Sequence, residues 1–147
     1  MSETKKLGEL VIQVSAMPRD TNPRGDIFGG WLMGLMDIAS ANIAPKGKSA
    51  TRAADNIEFI KAVQVGDLVS CYGYVLKIGK TSATVHVDVY VGDDIVAKGD
   101  FVNVALGDDG KPRVINQHKK HTPPSPKCLG GLQFERRRNK LTLGTWL

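Results

Sequence analysis

The segment from Ile27 to Ala44, IFGGWLMGLMDIASANIA, constrains the fold of this chain more than any other. Leu32, Leu35, Met36, Ala39 and Ile43 recur at helical spacing and therefore share one face of a helix. The opposite face, with Met33, Gly34, Ile38 and Ala41, is also apolar or small, which predicts a helix enclosed by protein on every side. Pro45 and Gly47 end it. Its 18 residues approach the length of a membrane span, but three glycines, Asp37, Ser40 and Asn42 argue against a bilayer helix. No membrane partner is expected.

The sequence around this helix reads as β structure. Residues 7–15 (LGELVIQVS) are partly alternating and predict a first strand, and MPRDTNPRGD at 17–26 is a loop broken by Pro and Gly. Further strands are predicted over 50–63, 68–77, 83–91 and 95–106. In the third of these Val85, Val87, Val89 and Val91 alternate with His86, Asp88 and Tyr90, the period of a half-buried strand. This places His86 on the side away from the valines, at a surface or an interface. VQVGD, IGKTS and VGDD supply turns, so the four strands are expected to form an antiparallel meander. One helix, apolar all round and set beside such a sheet, predicts an α+β domain whose curved sheet wraps around the helix.

Charge is misleading until it is located. The 147 residues carry a net +5 and a pI near 9.3, which invites a nucleic-acid partner. Residues 1–115 hold 13 basic and 14 acidic side chains, whereas residues 116–147 hold 7 basic side chains against Glu135 alone. The body is neutral, and nucleic acid is not an expected partner. The chain divides into one domain over 1–115 and a basic, Pro- and Gly-containing tail over 116–147, expected to be extended or partly disordered. Cys71 and Cys128 are too few for a disulfide scaffold or a four-ligand zinc site, and no metal is expected. The polar opening MSETKKLGEL points to a cytoplasmic location.

The residues able to carry chemistry cluster at the helix start. Asn22, Gly25, Asp26, Ile27, Phe28, Gly29, Gly30 and Trp31 form an N-x-x-G-D-I-F-G-G-W motif, with Asp37 six residues on. Gly29 and Gly30 bring bare backbone N–H groups to the positive end of the helix dipole, where a polarised carbonyl oxygen can sit. Asp37 is the only charged residue between Ile27 and Ala44. A carboxylate there needs hydrogen-bond partners, and it suits a general base or a nucleophile as well as a satisfied structural acid. Asp26 favours the helix N-terminus for structural reasons alone. Asn22 in a Pro/Gly loop is equally an Asx-turn residue, and Trp31, Met33 and Met36 read as core or as pocket lining.

The stretch AMPRDTNPRGDIFGGWLMGLMD closely resembles the YciA-like acyl-CoA thioesterases of the hotdog fold. The resemblance continues through NIEFIKAVQVGDLVSCYG, LKIGKTS and FVNVALGDDGKPRVI, covering roughly residues 7–115. It implies hydrolysis of acyl-CoA thioesters with no cofactor beyond the CoA of the substrate. It also implies a homodimer with sites at the interface, assembled in many members as a trimer of dimers. By position, Asp37 matches the catalytic carboxylate, Asn22 the loop residue acting across the dimer, and Gly29 and Gly30 the amides that hold the thioester oxygen. Gly79, Lys80, Thr81 and Ser82 match the segment that lies along CoA, and Lys61 and Lys80 are candidate partners for its phosphates. Asp26 and Trp31 are grouped with the substrate-binding residues. Arg52 is a departure, expected to reshape the acyl channel or to pair with Asp55, and the tail matches nothing in the family. The competing readings are a non-catalytic acyl-CoA-binding protein and a hydroxyacyl-thioester dehydratase. The latter needs a catalytic His, for which His86 is poorly placed.

Overall fold

A computed structural model describes residues 6–115. One helix, α1 (Gly29–Ile43), packs on a sheet of β1 (Glu9–Ser15), β2 (Ser49–Phe59), β3 (Leu68–Ile78), β4 (Ser82–Val91) and β5 (Asp94–Ala105). All pairings are antiparallel, in the order β1-β3-β4-β5-β2. The expected tail over 116–147 lies outside the described residues. Among the described residues no helix is long and apolar enough to cross a membrane.

Three expectations are corrected. Only β3, β4 and β5 form a meander, because β2 pairs with β5 and not with β3. The connection over 60–67 is not a hairpin. Ile60 and Lys61 both donate to the Val96 carbonyl, Ile27 donates to Val63, and Ala16 donates to Asp67, so this segment crosses the end of the sheet. The strand predicted over 50–63 accordingly stops at Phe59. Finally, α1 is not enclosed within one chain. Leu32, Met36, Ala39 and Ser40 are buried, but Ile38 is 54% exposed and Met33 is 36% exposed.

The inner face of the sheet is built by the predicted alternation. Val85, Val87 and Val89 of β4 are fully buried with Val69 and Cys71 of β3 and Ala97 and Phe101 of β5. Burial pushes the Cys71 thiol up to about 12, so it stays protonated and packs as a small apolar group. Met36, fully buried, fills the centre, and the sheet makes room for it with Gly99 of β5. A Cβ on Gly99 would lie 2.3 Å from Ile57 Cδ1 and 3.2 Å from Met36 Cε.

β2 is the long outer strand of the sheet, and most of its residues are exposed. Its register with β5 slips twice, between Thr51 and Ala53 and between Asp55 and Glu58. The first slip makes Arg52 a bulge residue. Among the described residues no ion pair joins Arg52 to Asp55, so that expectation is not met.

The face of the sheet away from α1 carries a polar network. The His86 ring contacts Asp100 through Nδ1 at 2.6 Å and Asp88 through Nε2 at 2.8 Å, and it lies 5.3 Å from the Tyr74 ring. Asn56 donates to the other Asp100 oxygen at 3.0 Å. Burial disfavours a charged ring, but the hydrogen bonds and charges of Asp88 and Asp100 outweigh it, and the His86 pKa is raised above 6.5. A pKa raised on folding stabilises the native state fully below the unfolded value and loses that contribution as pH rises through the folded value. The stability advantage of wild type over His86→Leu should therefore be largest below pH 6.5 and shrink as pH rises through the raised pKa of the ring. Urea unfolding of both proteins across pH 6 to 9 measures it.

Candidate active site

The helix begins on an unusual cap. Phe28 holds the N-cap position and offers no side-chain acceptor to the first turn. The Trp31 N–H donates to the Phe28 carbonyl at 3.1 Å. The Gly29 and Gly30 N–H groups come earlier, where helix geometry provides no acceptor. Both positions lie against aromatic rings. A Cβ on Gly29 would meet the Phe59 ring at 3.1 Å, and one on Gly30 would meet the Phe28 ring at 2.8 Å. Two open amides thus sit at the positive end of α1.

The loop before them is held by its own polar groups. The Asn22 side-chain oxygen accepts from the Arg24 and Asp26 N–H groups at 2.9 and 3.2 Å, an Asx-type turn. Its acceptor capacity is engaged, and its NH2 group is the half still available to act outward. Asp26 accepts from Gln64 Nε2 at 2.8 Å and lies 3.9 Å from the Arg24 guanidinium. It braces the loop against the segment after β2. Trp31 is partly buried against the core, and Met36 belongs wholly to it.

Asp37 lies about two turns into α1, roughly 10 Å along the axis from Gly30. The Thr51 hydroxyl of β2 donates to its Oδ1 at 2.5 Å. Thr51 Oγ1 also lies 3.3 Å from Asn103 Oδ1 of β5, the Asn103 amide donates to Ser40 Oγ at 3.1 Å, and Ser40 donates to the Asp37 carbonyl at 2.8 Å. Thr51, Asn103 and Ser40 thus ring the carboxylate's side of the helix. The sequence reading placed no role on Thr51 or Asn103. A usable signal existed for Asn103, the one polar side chain in the inward row Ala97, Gly99, Phe101, Asn103, Ala105.

The predicted CoA-binding residues fall into two groups. Gly79, Lys80, Thr81 and Ser82 form the β3–β4 turn, closed by Gly79 N–H to the Ser82 carbonyl at 2.7 Å. Ser82 pairs with Val104, one residue along β5 from Asn103, so this turn lies at the Asp37–Thr51 end of the sheet. Lys61 follows the opposite end of β2 and lies beside Val96, about 26 Å from the turn along β5. There its ammonium pairs with Asp94 at 2.8 Å, both groups being exposed. One chain does not bring Lys61 and Lys80 together.

This architecture and this helix start define a hotdog-fold thioesterase class of protein. Residues 24–98 match the family model of the thioesterase superfamily. The chain is 42% identical to the acyl-CoA thioester hydrolase YciA of Salmonella typhimurium, over 74% of this chain and 90% of that protein. It is 39% identical to an uncharacterized acyl-CoA thioester hydrolase of Buchnera aphidicola, over 78% of this chain and 96% of that protein. Among solved structures, a hexameric thioesterase from Yersinia pestis matches with a TM-score of 0.70 and 42% identity, covering 74% of this chain and 96% of that one. The chain belongs to the thioesterase superfamily. His86, needed by the dehydratase reading, faces away from α1 and Asp37.

The open cap gives a direct test. Phe28→Ser supplies the missing acceptor and Phe28→Ala does not, so the Ser variant should be more stable than the Ala variant by about 1 kcal/mol. The same side-chain oxygen occupies the helix-start amides, so thioester hydrolysis should be lower in the Ser variant. Chemical denaturation and a thiol-release assay on the pair measure both effects.

Proposed function

We propose that this chain hydrolyses acyl-CoA thioesters to the free acid and CoA. The observation that carries the reading is the pairing of two bare glycine amides with a hydrogen-bonded carboxylate two turns along the same helix. The amides of Gly30 and Gly29 hold the thioester oxygen and stabilise the negative charge that grows on it. Thr51 occupies one oxygen of Asp37 and leaves the other for a water. Asp37 takes a proton from that water as its oxygen bonds to the acyl carbon. The carbon–sulfur bond then breaks, and CoA leaves as a thiolate of low basicity that needs no strong general acid. The reaction so drawn uses no cofactor besides the CoA of its substrate. The position of Lys80 and the Gly79–Ser82 turn at the Asp37–Thr51 end of the sheet supports a role for them in meeting CoA, whereas Lys61, at the far end of β5 and paired with Asp94, does not reach the same CoA from within one chain.

Two copies complete the site in this reading. Gly30 and Asp37 of one helix stand about 10 Å apart, beyond the reach of one carbonyl group held at the amides and attacked at near-contact distance. The Met33 and Ile38 face of α1, Phe28 and the outer edge of β2 are all exposed in a single chain. A second copy pairing edge to edge along β2 covers that edge and sets the start of one helix beside Asp37 of the other, with Asn22 reaching across. The Yersinia pestis relative is hexameric, which supports a trimer of such dimers here.

Release of free thiol from acyl-CoA substrates of graded chain length tests the activity. Asp37→Asn should lower kcat at least about 100-fold with KM little changed. Undiminished turnover by that variant sinks the assignment. The two-chain site is tested by mixing Asp37→Asn with Gly30→Pro subunits. Each mixed dimer holds one intact site, so random exchange should restore about a quarter of wild-type activity. No recovery on mixing means that each chain carries a whole site.

A further inference from the structure

Among the described glycines, Gly34 is the one for which the single chain supplies no reason. Gly8, Gly25, Gly47, Gly66, Gly92 and Gly110 have a positive φ. At Gly29, Gly30, Gly73, Gly79, Gly99 and Gly107 a Cβ would come within 3.2 Å of a neighbouring atom. Gly34 lies in the middle of α1, its φ is not positive, and a Cβ there would meet nothing within 4 Å. A glycine inside a helix destabilises it relative to alanine, because it loses more backbone freedom on folding. The chain gives up helix stability at Gly34 and gains neither a turn nor a close approach of its own from it. What the missing side chain makes room for lies outside the single chain.

Helix periodicity sets Gly34 one turn after Gly30 and one turn before Asp37, on the side of α1 that they share. Met33 and Ile38, 36% and 54% exposed, flank it there with the exposed Ala41. The other side of Asp37 is polar: Thr51 donates to its carboxylate, Ser40 to its carbonyl, and Asn103 to Ser40. The Gly79–Ser82 turn lies at that same end of the sheet. A thioester carbon attacked by a water at Asp37 carries sulfur on one bond and the acyl chain on another. With the sulfur and CoA directed toward the turn, the acyl chain runs over the apolar exposed side of α1, and Gly34 is the lowest point of that side.

We infer that Gly34 is a specificity-determining residue for the hydrolysis, its missing side chain holding open the passage by which the acyl chain leaves Asp37 between the helices of two copies. This rests on the proposed reading of Asp37 as general base. The passage takes acyl groups longer than acetyl, whose methylenes fill the width that a side chain would occupy. A second helix packed flush onto Gly34 would close it.

Gly34→Ala adds one methyl group, and Gly34→Leu adds a helix-favouring side chain large enough to fill the passage. The quantity to measure is the kcat/KM for the longest straight-chain acyl-CoA that wild type hydrolyses, divided by that for acetyl-CoA. Gly34→Leu should lower this ratio at least about 10-fold, and Gly34→Ala about 2- to 3-fold. Gly34→Ala should also melt about 2 to 4 °C above wild type, and both variants should keep the wild-type assembly size by light scattering. An unchanged ratio, an equal loss on both substrates, or a wild type confined to acetyl-CoA overturns the inference. So does a smaller assembly or a lower melting temperature in Gly34→Ala, which would assign Gly34 to a contact between copies or to the fold. If Gly34→Leu does not fold, the ratio of Gly34→Ala decides. Absence of acyl-CoA hydrolysis in wild type overturns the proposed function itself, and is seen before any ratio is formed.

Discussion

The contact between Met36 and the sheet at Gly99 is the constraint on which the rest of the molecule depends. A side chain of this size, fully buried, packs the middle of α1 on the inward row of β5 where Gly99 has no side chain, and a Cβ there would run into Ile57 and crowd the end of Met36. The approach sets the height of the helix over the sheet, and with it the reach from Asp37, the next residue, to Thr51 on β2. The Thr51–Asp37 hydrogen bond links that spacing to the helix. Packing in the core and geometry at the carboxylate are therefore one problem.

The helix start shows the opposite economy. Elsewhere a Ser, Thr, Asp or Asn at the cap would satisfy the first amides and add stability. Here Phe28 leaves them open, and the two glycines that follow lie against the rings of Phe28 and Phe59. Stability given up at one helix end leaves the amides that the proposed mechanism uses, with the loop before them held by Asn22, Asp26 and Gln64. The far face of the sheet carries a separate polar system around His86, Asp88 and Asp100. It lies on the face of the sheet opposite α1.

Much of this was legible along the chain. The alternation of Val85, Val87 and Val89 and the glycine pair before Trp31 each depend on local periodicity or on a residue's own backbone, and these are written in consecutive residues. The isolated acid at Asp37 stood out because everything around it was uncharged. Strand order was not legible. The VQVGD segment looks like a hairpin turn, but its backbone is taken by Ala16 and Ile27 from distant parts of the chain.

The sequence by itself determined the elements, the inward valine face, the open helix start and the single helix carboxylate, because each follows from short-range spacing and side-chain chemistry. Only the tertiary structure decided that β2 lies beside β5, that one face of α1 is left exposed, and that Thr51, Asn103 and Ser40 converge on Asp37. Those outcomes depend on which strands compete successfully for the same backbone hydrogen bonds. Thr51 and Asn103 are 52 residues apart and meet only through that pairing.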